Sequence, residues 1–244
     1  MSHFKLISYK SLLAALVLVL FFSCNKEKTL QFSETEIVSE KDTRISITIP
    51  NALGKSKAAK NINTSLKHFV NTALNIEGLF AAKSDTNESI EGFDSTYATF
   101  KKQMAQITNE PLPVWEAIIE GEKTYQDETI ICFSMSSAIN TGGANTKSTL
   151  AFFNFKPDTG EELEVADIIS NSPELSVILE SYLKMELNTT PYKINEFTDK
   201  ETHRVTLPAS ISLTDTGVVF IYEKDADYIE FLVPYSKIED FIKI

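Results

Sequence analysis

Hydrophobic and polar residues alternate in several short runs of the chain, which is the pattern of a strand with one buried face. In the first run, residues 44–50, Ile45, Ile47 and Ile49 share one face and a proline ends the alternation. Comparable runs lie at 115–119, 129–137, 148–155, 205–213, 218–223 and 228–233. We therefore expect strands at these positions, with a turn at 120–123 joining the second run to the third.

Other segments repeat their apolar residues every three or four positions, as the buried stripe of a helix does. One stripe contains Ile62, Leu66, Phe69 and Val70, and Gly78 is expected to end it. Further helices are predicted from Phe93 to Ile107, from Pro173 to about Asn188 with Ser172 as N-cap, and from Tyr235 to Ile242. Helices and strands in blocks, without a regular βαβ repeat, predict an α+β fold of antiparallel sheets with packed helices.

The N-terminal residues follow the plan of a secretion signal. Two lysines precede an apolar stretch at 11–22, which is shorter than the roughly 20 residues needed to span a bilayer. The stretch ends in Ser23 and Cys24, and this end resembles the lipobox of bacterial lipoproteins. The resemblance implies that residues 1–23 are a signal peptide, that Cys24 is acylated and that residues 24–40 form a tether. The alternative is an ordinary secretory signal with an incidental cysteine.

The composition predicts a folded and acidic protein. Hydrophobic residues make up 43% of the chain and 16 residues are phenylalanine, which argues against disorder. The formal net charge is -11, and it becomes -13 when the signal segment with its two lysines is removed. Such a surface disfavours nucleic acid and anionic lipid headgroups, and it favours a cationic partner through long-range attraction. The alternative is that the acidity only keeps the protein soluble.

Cysteine and histidine offer little catalytic chemistry. If Cys24 is acylated, Cys132 is the one remaining cysteine and no internal disulfide is expected. Cys132 lies in an alternating run and is interpreted as a small buried hydrophobe. A nucleophilic cysteine would need a positioned histidine, and His68 and His203 lie in no recognisable motif.

Two acidic clusters allow a functional interpretation beside a structural one. The segment 161–167 could gather a calcium ion, but it lacks the ligand spacing of an EF-hand, and the start of a short helix explains it better. Glu223, Asp225, Asp227 and Glu230 could supply a carboxylate pair for glycoside hydrolysis, although acidic residues at the tip of a hairpin are the commoner case. We therefore expect no metal ion, no cofactor and no enzymatic activity.

Several short motifs occur in a fixed order between residues 40 and 244. They are Ile49-Pro50, a helix with Ala59, Ile62 and Asn63, the loop Thr141-Gly142-Gly143-Ala144, the segment Phe153-Asn154-Phe155 with 159–163, and the segment 213–220 with 233–236. In this order they resemble the extracellular domain of RsiV-type anti-sigma factors and the companion domain of PdaC-type peptidoglycan deacetylases. Each motif is short, so the resemblance rests on the ordered set.

The resemblance implies a candidate ligand-binding loop, formed by Thr141, Gly142, Gly143 and Asn145. Its glycines could present backbone amides to a ligand, although glycine-rich segments more often only turn the chain. The family usually has histidine where this chain has Asn145. Asparagine does not titrate near neutrality and cannot act as an imidazole ligand, so a role that rests on that histidine does not carry over.

Together these features predict two closely associated α+β subdomains, 41–145 and 146–244. The resemblance implies a lipid-anchored, non-enzymatic binding or sensor module of the bacterial cell envelope, in the periplasm or on the outer membrane. Its implied partner is a basic protein such as lysozyme, or a peptidoglycan fragment. Contact with the membrane is expected through the lipid anchor only, and none with nucleic acid. One alternative is an envelope glycan hydrolase or deacetylase that uses Glu223 and Asp227; another is a purely structural lipoprotein.

Overall fold

The computed structural model describes residues 29–78, 85–143, 146–225 and 227–244. The expected signal peptide, Cys24 with its expected acylation and Asn145 of the candidate loop lie outside the described residues. Within them, helices and two sheets are arranged in blocks, which confirms the predicted α+β class.

The N-terminal part of the chain forms a five-stranded sheet with the strand order β1-β2-β3-β4-β5. The strands are β1 (Phe32–Glu40), β2 (Arg44–Ala52), β3 (Glu116–Gln126), β4 (Ile131–Asn140) and β5 (Lys147–Phe155). Neighbouring strands are antiparallel except β2 and β3, which are parallel. A parallel pair needs a long crossover, and helices α1 (Lys57–Leu74) and α2 (Thr86–Met104) lie in it. A short 3₁₀ turn, Ile76–Gly78, follows α1.

Helix α1 covers one face of this sheet because its apolar stripe matches the alternation of the strands. Ser56 caps the helix, with its Oγ accepting a hydrogen bond from the Ala59 amide at 3.1 Å. Ile62 and Leu66 are fully buried against the isoleucines of β2. Helix α2 extends the same core through Phe93, which makes an edge contact with the ring of Trp115 at 5.8 Å. The tryptophan is therefore a core residue.

The C-terminal part has its own sheet and core. Its strands, in the order β6-β7-β8, are β6 (Ser210–Leu213), β7 (Gly217–Lys224) and β8 (Asp227–Pro234). Its helices are α3 (Val165–Ile168), α4 (Pro173–Leu187) and α5 (Tyr235–Ile238), with 3₁₀ turns at Ile194–Phe197 and Glu239–Phe241. Helix α4 begins as predicted, since Ser172 Oγ accepts from the Leu175 amide at 3.1 Å and Pro173 occupies the first turn.

The two sheets meet along the end of β5. The Phe152 amide donates to Ser210 Oγ at 3.1 Å, and Asn154 Nδ2 donates to the Ile211 carbonyl oxygen at 2.8 Å. Cys132 of β4 belongs to the core of the C-terminal part. Strand β5 begins after residue 145, the predicted boundary between the two subdomains. It nevertheless pairs over its length with β4, which lies before that boundary. The boundary itself stays a prediction.

Three local expectations were wrong. Residues 32–40 are not tether: they form β1, which pairs fully with β2, and their polar composition reflects an edge strand with one exposed face. No turn lies at 120–123, because Gly121 continues β3 in close contact with Met135; the turn is at 127–130. The run at 205–213 is a strand only from Ser210, since Pro208 cannot donate to a ladder.

Candidate binding surface

The five-stranded sheet leaves much of the face opposite α1 and α2 exposed to solvent, while the C-terminal part covers one end of that face at Cys132 and Asn154. Strands β1, β2 and β3 direct six glutamates and one arginine outward on this side, namely Glu34, Glu36, Glu40, Glu116, Glu120, Glu122 and Arg44. The remaining outward residues of β4 and β5 are small, polar or half-buried. We call this surface the open face; its six glutamates and Arg44 together carry a net charge of -5.

Strand register determines how these carboxylates are spaced. Glu36 lies beside Thr48, and Thr48 lies beside Glu120, so the two glutamates share one row across three strands. Neighbouring strands are about 4.8 Å apart, which places the backbones of Glu36 and Glu120 about 10 Å from each other. The carboxylates are thus held on a rigid sheet at distances at which they repel one another without forming a close pair.

The single cation of the open face does not neutralise it. Arg44 Nη1 lies 2.8 Å from Glu116 Oε1, and both side chains are largely solvent-exposed. Exposed ion pairs of this kind contribute about 0–1 kcal/mol to stability. The other five glutamates have no ion pair or side-chain hydrogen bond within the described residues.

The centre of the open face is apolar. Val38 is 59% exposed and Ile118 is 49% exposed, and both flank Ser46 in one row of the sheet. Apolar side chains inside a charged rim are the arrangement found in many protein interfaces. Acidic residues on β1 can also be explained as protection of a sheet edge, but this does not explain Glu120 and Glu122 on the central strand.

In the predicted ligand-binding loop, Gly142 has a structural role and Thr141 lines a cleft. Gly142 has a φ of +81°, its amide donates to Asn140 Oδ1 at 2.8 Å, and Pro113 fills the space where a side chain would begin. These contacts explain the glycine as a tight turn. Thr141 is different, because it lines a cleft of about 270 Å³ between the end of α1 and strands β4 and β5. Lys147 stands at the same cleft.

The carboxylates of the C-terminal hairpin are spread over its turn and its two strands. Asp225 occupies the turn with a φ of +59°, and Asp227 Oδ2 accepts a hydrogen bond from the Tyr192 hydroxyl at 2.7 Å. That hydrogen bond raises the pKa of the Tyr192 hydroxyl to about 12. Glu223 is exposed on β7 beside Tyr228. Asp227 is therefore engaged in fixing the hairpin to the preceding loop.

The acidic segment 161–167 begins α3, as its structural interpretation predicts. Asp167 Oδ2 accepts from the Glu164 amide at 3.0 Å, and Lys156 Nζ lies 2.9 Å from Glu161 Oε2. Among the described residues, no group of three or more His, Cys, Asp or Glu side chains is placed to hold a metal ion.

Cys132 is fully buried, which confirms its interpretation as a core residue. Burial raises the pKa of its thiol to about 12. A thiolate is therefore scarce at neutral pH, and this position does not suit a nucleophile.

Comparison with known proteins supports the family resemblance. Residues 37–148 match the family model described as "Deacetylase PdaC". The fold is similar to the crystal structure of a DUF3298 family member from Bacteroides fragilis, with 15% sequence identity over 87% of this chain and 93% of that chain and a TM-score of 0.63. A DUF3298 family protein from Pseudomonas aeruginosa has 15% identity over 88% and 94% of the two chains, with a TM-score of 0.47. No curated protein matches the sequence.

None of the helices in the described part of the chain is both long and apolar enough to cross a bilayer.

Proposed function

We propose that this chain, whose residues 37–148 match the family model "Deacetylase PdaC", is a lipid-anchored, non-enzymatic binding module of the bacterial cell envelope whose open face binds a basic protein. The observation that carries the proposal is the open face itself, with six glutamates and one arginine around Val38 and Ile118. The word deacetylase in the family description refers to a reaction that this proposal does not assign to the chain.

Electrostatics and burial would act together on the open face. Attraction between a net charge of -5 and a basic surface would speed association and relieve the repulsion among the glutamates. Burial of Val38 and Ile118 would then add short-range affinity at about 25 cal/mol for each Å² of apolar surface removed from water. Lysozyme, a compact basic protein, is the first partner to test.

The proposal is tested by isothermal titration calorimetry with lysozyme at low and at physiological salt. We expect a complex that weakens as salt rises, because the Debye length falls from about 30 Å at 0.01 M to about 8 Å at 0.15 M. Absence of heat with lysozyme and with other basic proteins at low salt would overturn the proposal.

Charge variants separate the open face from net charge alone. Glu36→Lys with Glu120→Lys should weaken lysozyme binding about tenfold or more, since both exposed carboxylates lie in one row of the face. Glu186→Lys with Glu201→Lys is the matched control, because it makes the same change in charge at exposed positions elsewhere. Equal losses in both variants would show that net charge, and no particular surface, governs binding.

The lipid anchor is tested separately from binding. Cells grown with radiolabelled palmitate should label the wild-type protein but not a Cys24→Ser variant, and the variant should leave the membrane fraction. Labelling that survives the substitution would contradict the anchor.

The non-enzymatic part of the proposal is tested with muropeptides. We expect no turnover by the wild-type protein. If turnover is found, loss of it in Glu223→Gln or Asp227→Asn would assign catalysis to the C-terminal hairpin and contradict the proposal.

A further inference from the structure

A second cleft lies where the edge of β5 meets β6, at one end of the open face. It has a volume of about 460 Å³. Phe152, which lines it, is two strands from Glu122 in one row of the sheet, with Ser134 between them. The cleft therefore lies at the end of the row that carries Glu122.

The charged and amide side chains of this cleft supply acceptors. Glu162 and Glu164 are at its edge and Asn154 is on its wall. Ser210 Oγ is already engaged, because it accepts the hydrogen bond of the Phe152 amide. The described residues that line the cleft include no Lys, Arg or His. A ligand that bears donors suits such a site, whereas an anion does not.

Asn154 provides an acceptor that the fold leaves unused. The residue is only 4% exposed, and its Nδ2 donates to the Ile211 carbonyl oxygen at 2.8 Å. That bond fixes the orientation of the amide, because a carbonyl oxygen can only accept. Asn154 Oδ1 has no hydrogen-bond partner among the described residues and almost no solvent-accessible surface of its own, so a ligand reaches it only when the cleft widens beside it. A buried acceptor without a partner costs about 1–3 kcal/mol, so a donor from outside the chain would be favoured.

Glu162 lacks a partner as well. Its carboxylate makes no hydrogen bond or ion pair within the described ranges. Partial burial raises the pKa of the Glu162 carboxyl, as expected for an acid without a neighbouring cation. The other walls are apolar, with contributions from Leu163, Val165 and Ile211.

We propose that this cleft binds a primary ammonium group on a short alkyl stem, with Glu162 and Asn154 Oδ1 accepting its hydrogen bonds and the apolar walls covering the stem. An ammonium has three donors and no acceptor, which matches this lining. A metal ion fits less well, because no group of three or more acidic, His or Cys side chains is assembled in the described residues.

The ammonium has two sources, a lysine side chain of a docked protein or a free amine. In the first case the inference rests on the proposed function, because the cleft would take a side chain of the basic partner on the open face. In the second case it stands independently of that function.

Small probes test the site on the full chain by NMR titration. We expect n-butylamine, which is protonated at neutral pH, to bind saturably and to shift signals of the cleft residues, while neutral N-butylacetamide should not. Glu162→Gln should weaken n-butylamine binding roughly tenfold, the effect of losing one charge-assisted hydrogen bond. Glu161→Gln is the matched control, because Glu161 is paired with Lys156 and does not line the cleft. Equal binding of both probes, or no effect of Glu162→Gln, would overturn the inference.

A second titration distinguishes the sources and the two proposals. If a lysine side chain is the ligand, Nα-acetyl-lysine methylamide should bind like n-butylamine and Glu162→Gln should also weaken the lysozyme complex. If lysozyme binding depends on Glu36 and Glu120 and n-butylamine does not bind, the inference fails and the proposed function stands. If n-butylamine binds through Glu162 and no basic protein binds, the proposed function fails and the inference stands.

Discussion

The side-chain amide of Asn63 pairs with the backbone of Ala52 as a neighbouring strand would. Asn63 Oδ1 accepts from the Ala52 amide at 2.7 Å, and Asn63 Nδ2 donates to the Ala52 carbonyl oxygen at 2.9 Å. Ala52 is the last residue of β2 and is 2% exposed. Helix α1 thereby satisfies both backbone groups at the end of the strand and fixes its own position on the sheet.

Replacing Asn63 with alanine should therefore destabilise the protein by about 2–3 kcal/mol, because two hydrogen bonds are lost and two buried backbone groups lose their partner. Asn63→Asp should destabilise it as well, since a carboxylate cannot donate to the Ala52 carbonyl oxygen. Urea unfolding measures both changes. Thr64→Ala is the control, because the exposed Thr64 bonds only within its helix; an equal loss there would contradict this account.

The Asn63 contact shows which features of α1 the sequence predicts and which it does not. The periodicity of 58–74 predicts a helix with Ile62 on its buried stripe, and the fold confirms it. The motif that contains Asn63 supports the family resemblance. Its physical role depends on Ala52, which lies 11 residues earlier on another element. Only the packing of α1 on β2 brings the two together.

The open face could not be predicted in the same way. Glutamates at every second position of 34–36 and 120–122 are the signal in the sequence, but the polar composition of the first run predicts a tether and that of the second predicts a turn. Assembling them on one face also requires the register of three strands, and a slip by one residue would move every side chain to the other side. The cleft beside Asn154 is even harder to predict from the sequence. Asn154 bonds to Ile211, which lies 57 residues further along the chain, so only the folded structure brings the two walls together.

Gly160 should not tolerate a side chain. Its φ is +64°, and a Cβ added there would lie 2.5 Å from the backbone oxygen of Ala58 at the start of α1. The neighbouring Thr159 carbonyl oxygen accepts from Asn61 Nδ2 at 2.9 Å, so the turn is docked on that helix. We expect Gly160→Ala to cost about 2–4 kcal/mol by urea unfolding, from backbone strain and the clash together.

Gly54→Ala measures the backbone strain of a positive φ without a steric clash. Gly54 also has a positive φ, of +96°, but nothing lies within 4 Å of the position of an added Cβ. This variant should lose only the dihedral contribution of about 1–2 kcal/mol. Equal losses at Gly54 and Gly160 would show that the close approach to Ala58 has no energetic weight.

The β3–β4 turn should weaken in acid through Asp127. Its Oδ1 accepts from the amides of Thr129 and Ile130 at 2.7 and 2.9 Å, and its Oδ2 accepts from the Tyr125 hydroxyl at 3.0 Å. Desolvation acts to raise the pKa of the Asp127 carboxyl, but the hydrogen bonds from Thr129, Ile130 and Tyr125 prevail and hold it below its ordinary value of 3.8. The stabilisation is therefore present above pH 3.8 and is lost as the pH falls through the lowered pKa.

Urea unfolding of Asp127→Ala and the wild type at several pH values measures this effect. The difference between them should be about 1–3 kcal/mol at neutral pH and should shrink below pH 3.8. Glu128→Gln is the control, since Glu128 makes no hydrogen bond or ion pair in the described part of the turn. A difference that stays constant with pH would contradict the role of the carboxylate.

Cys132 should make the protein sensitive to alkali. Burial raises the pKa of its thiol from 9.0 to about 12, because the core between β4 and the C-terminal sheet does not solvate a thiolate. The unfolded chain releases this proton above pH 9.0 and the folded chain retains it, so the free energy of unfolding falls between pH 9.0 and about 12. One such group contributes a slope of about 1.4 kcal/mol per pH unit.

Cys132→Ala should cost about 1 kcal/mol at neutral pH for the lost thiol volume and should remove this slope. The comparison is made by urea unfolding from pH 8 to 11, with Cys24→Ser in both proteins so that only Cys132 differs. Burial of Tyr222 also raises the pKa of its hydroxyl, and this contribution cancels because both proteins retain it. Parallel losses of stability in the two proteins would show that Cys132 is not the group responsible.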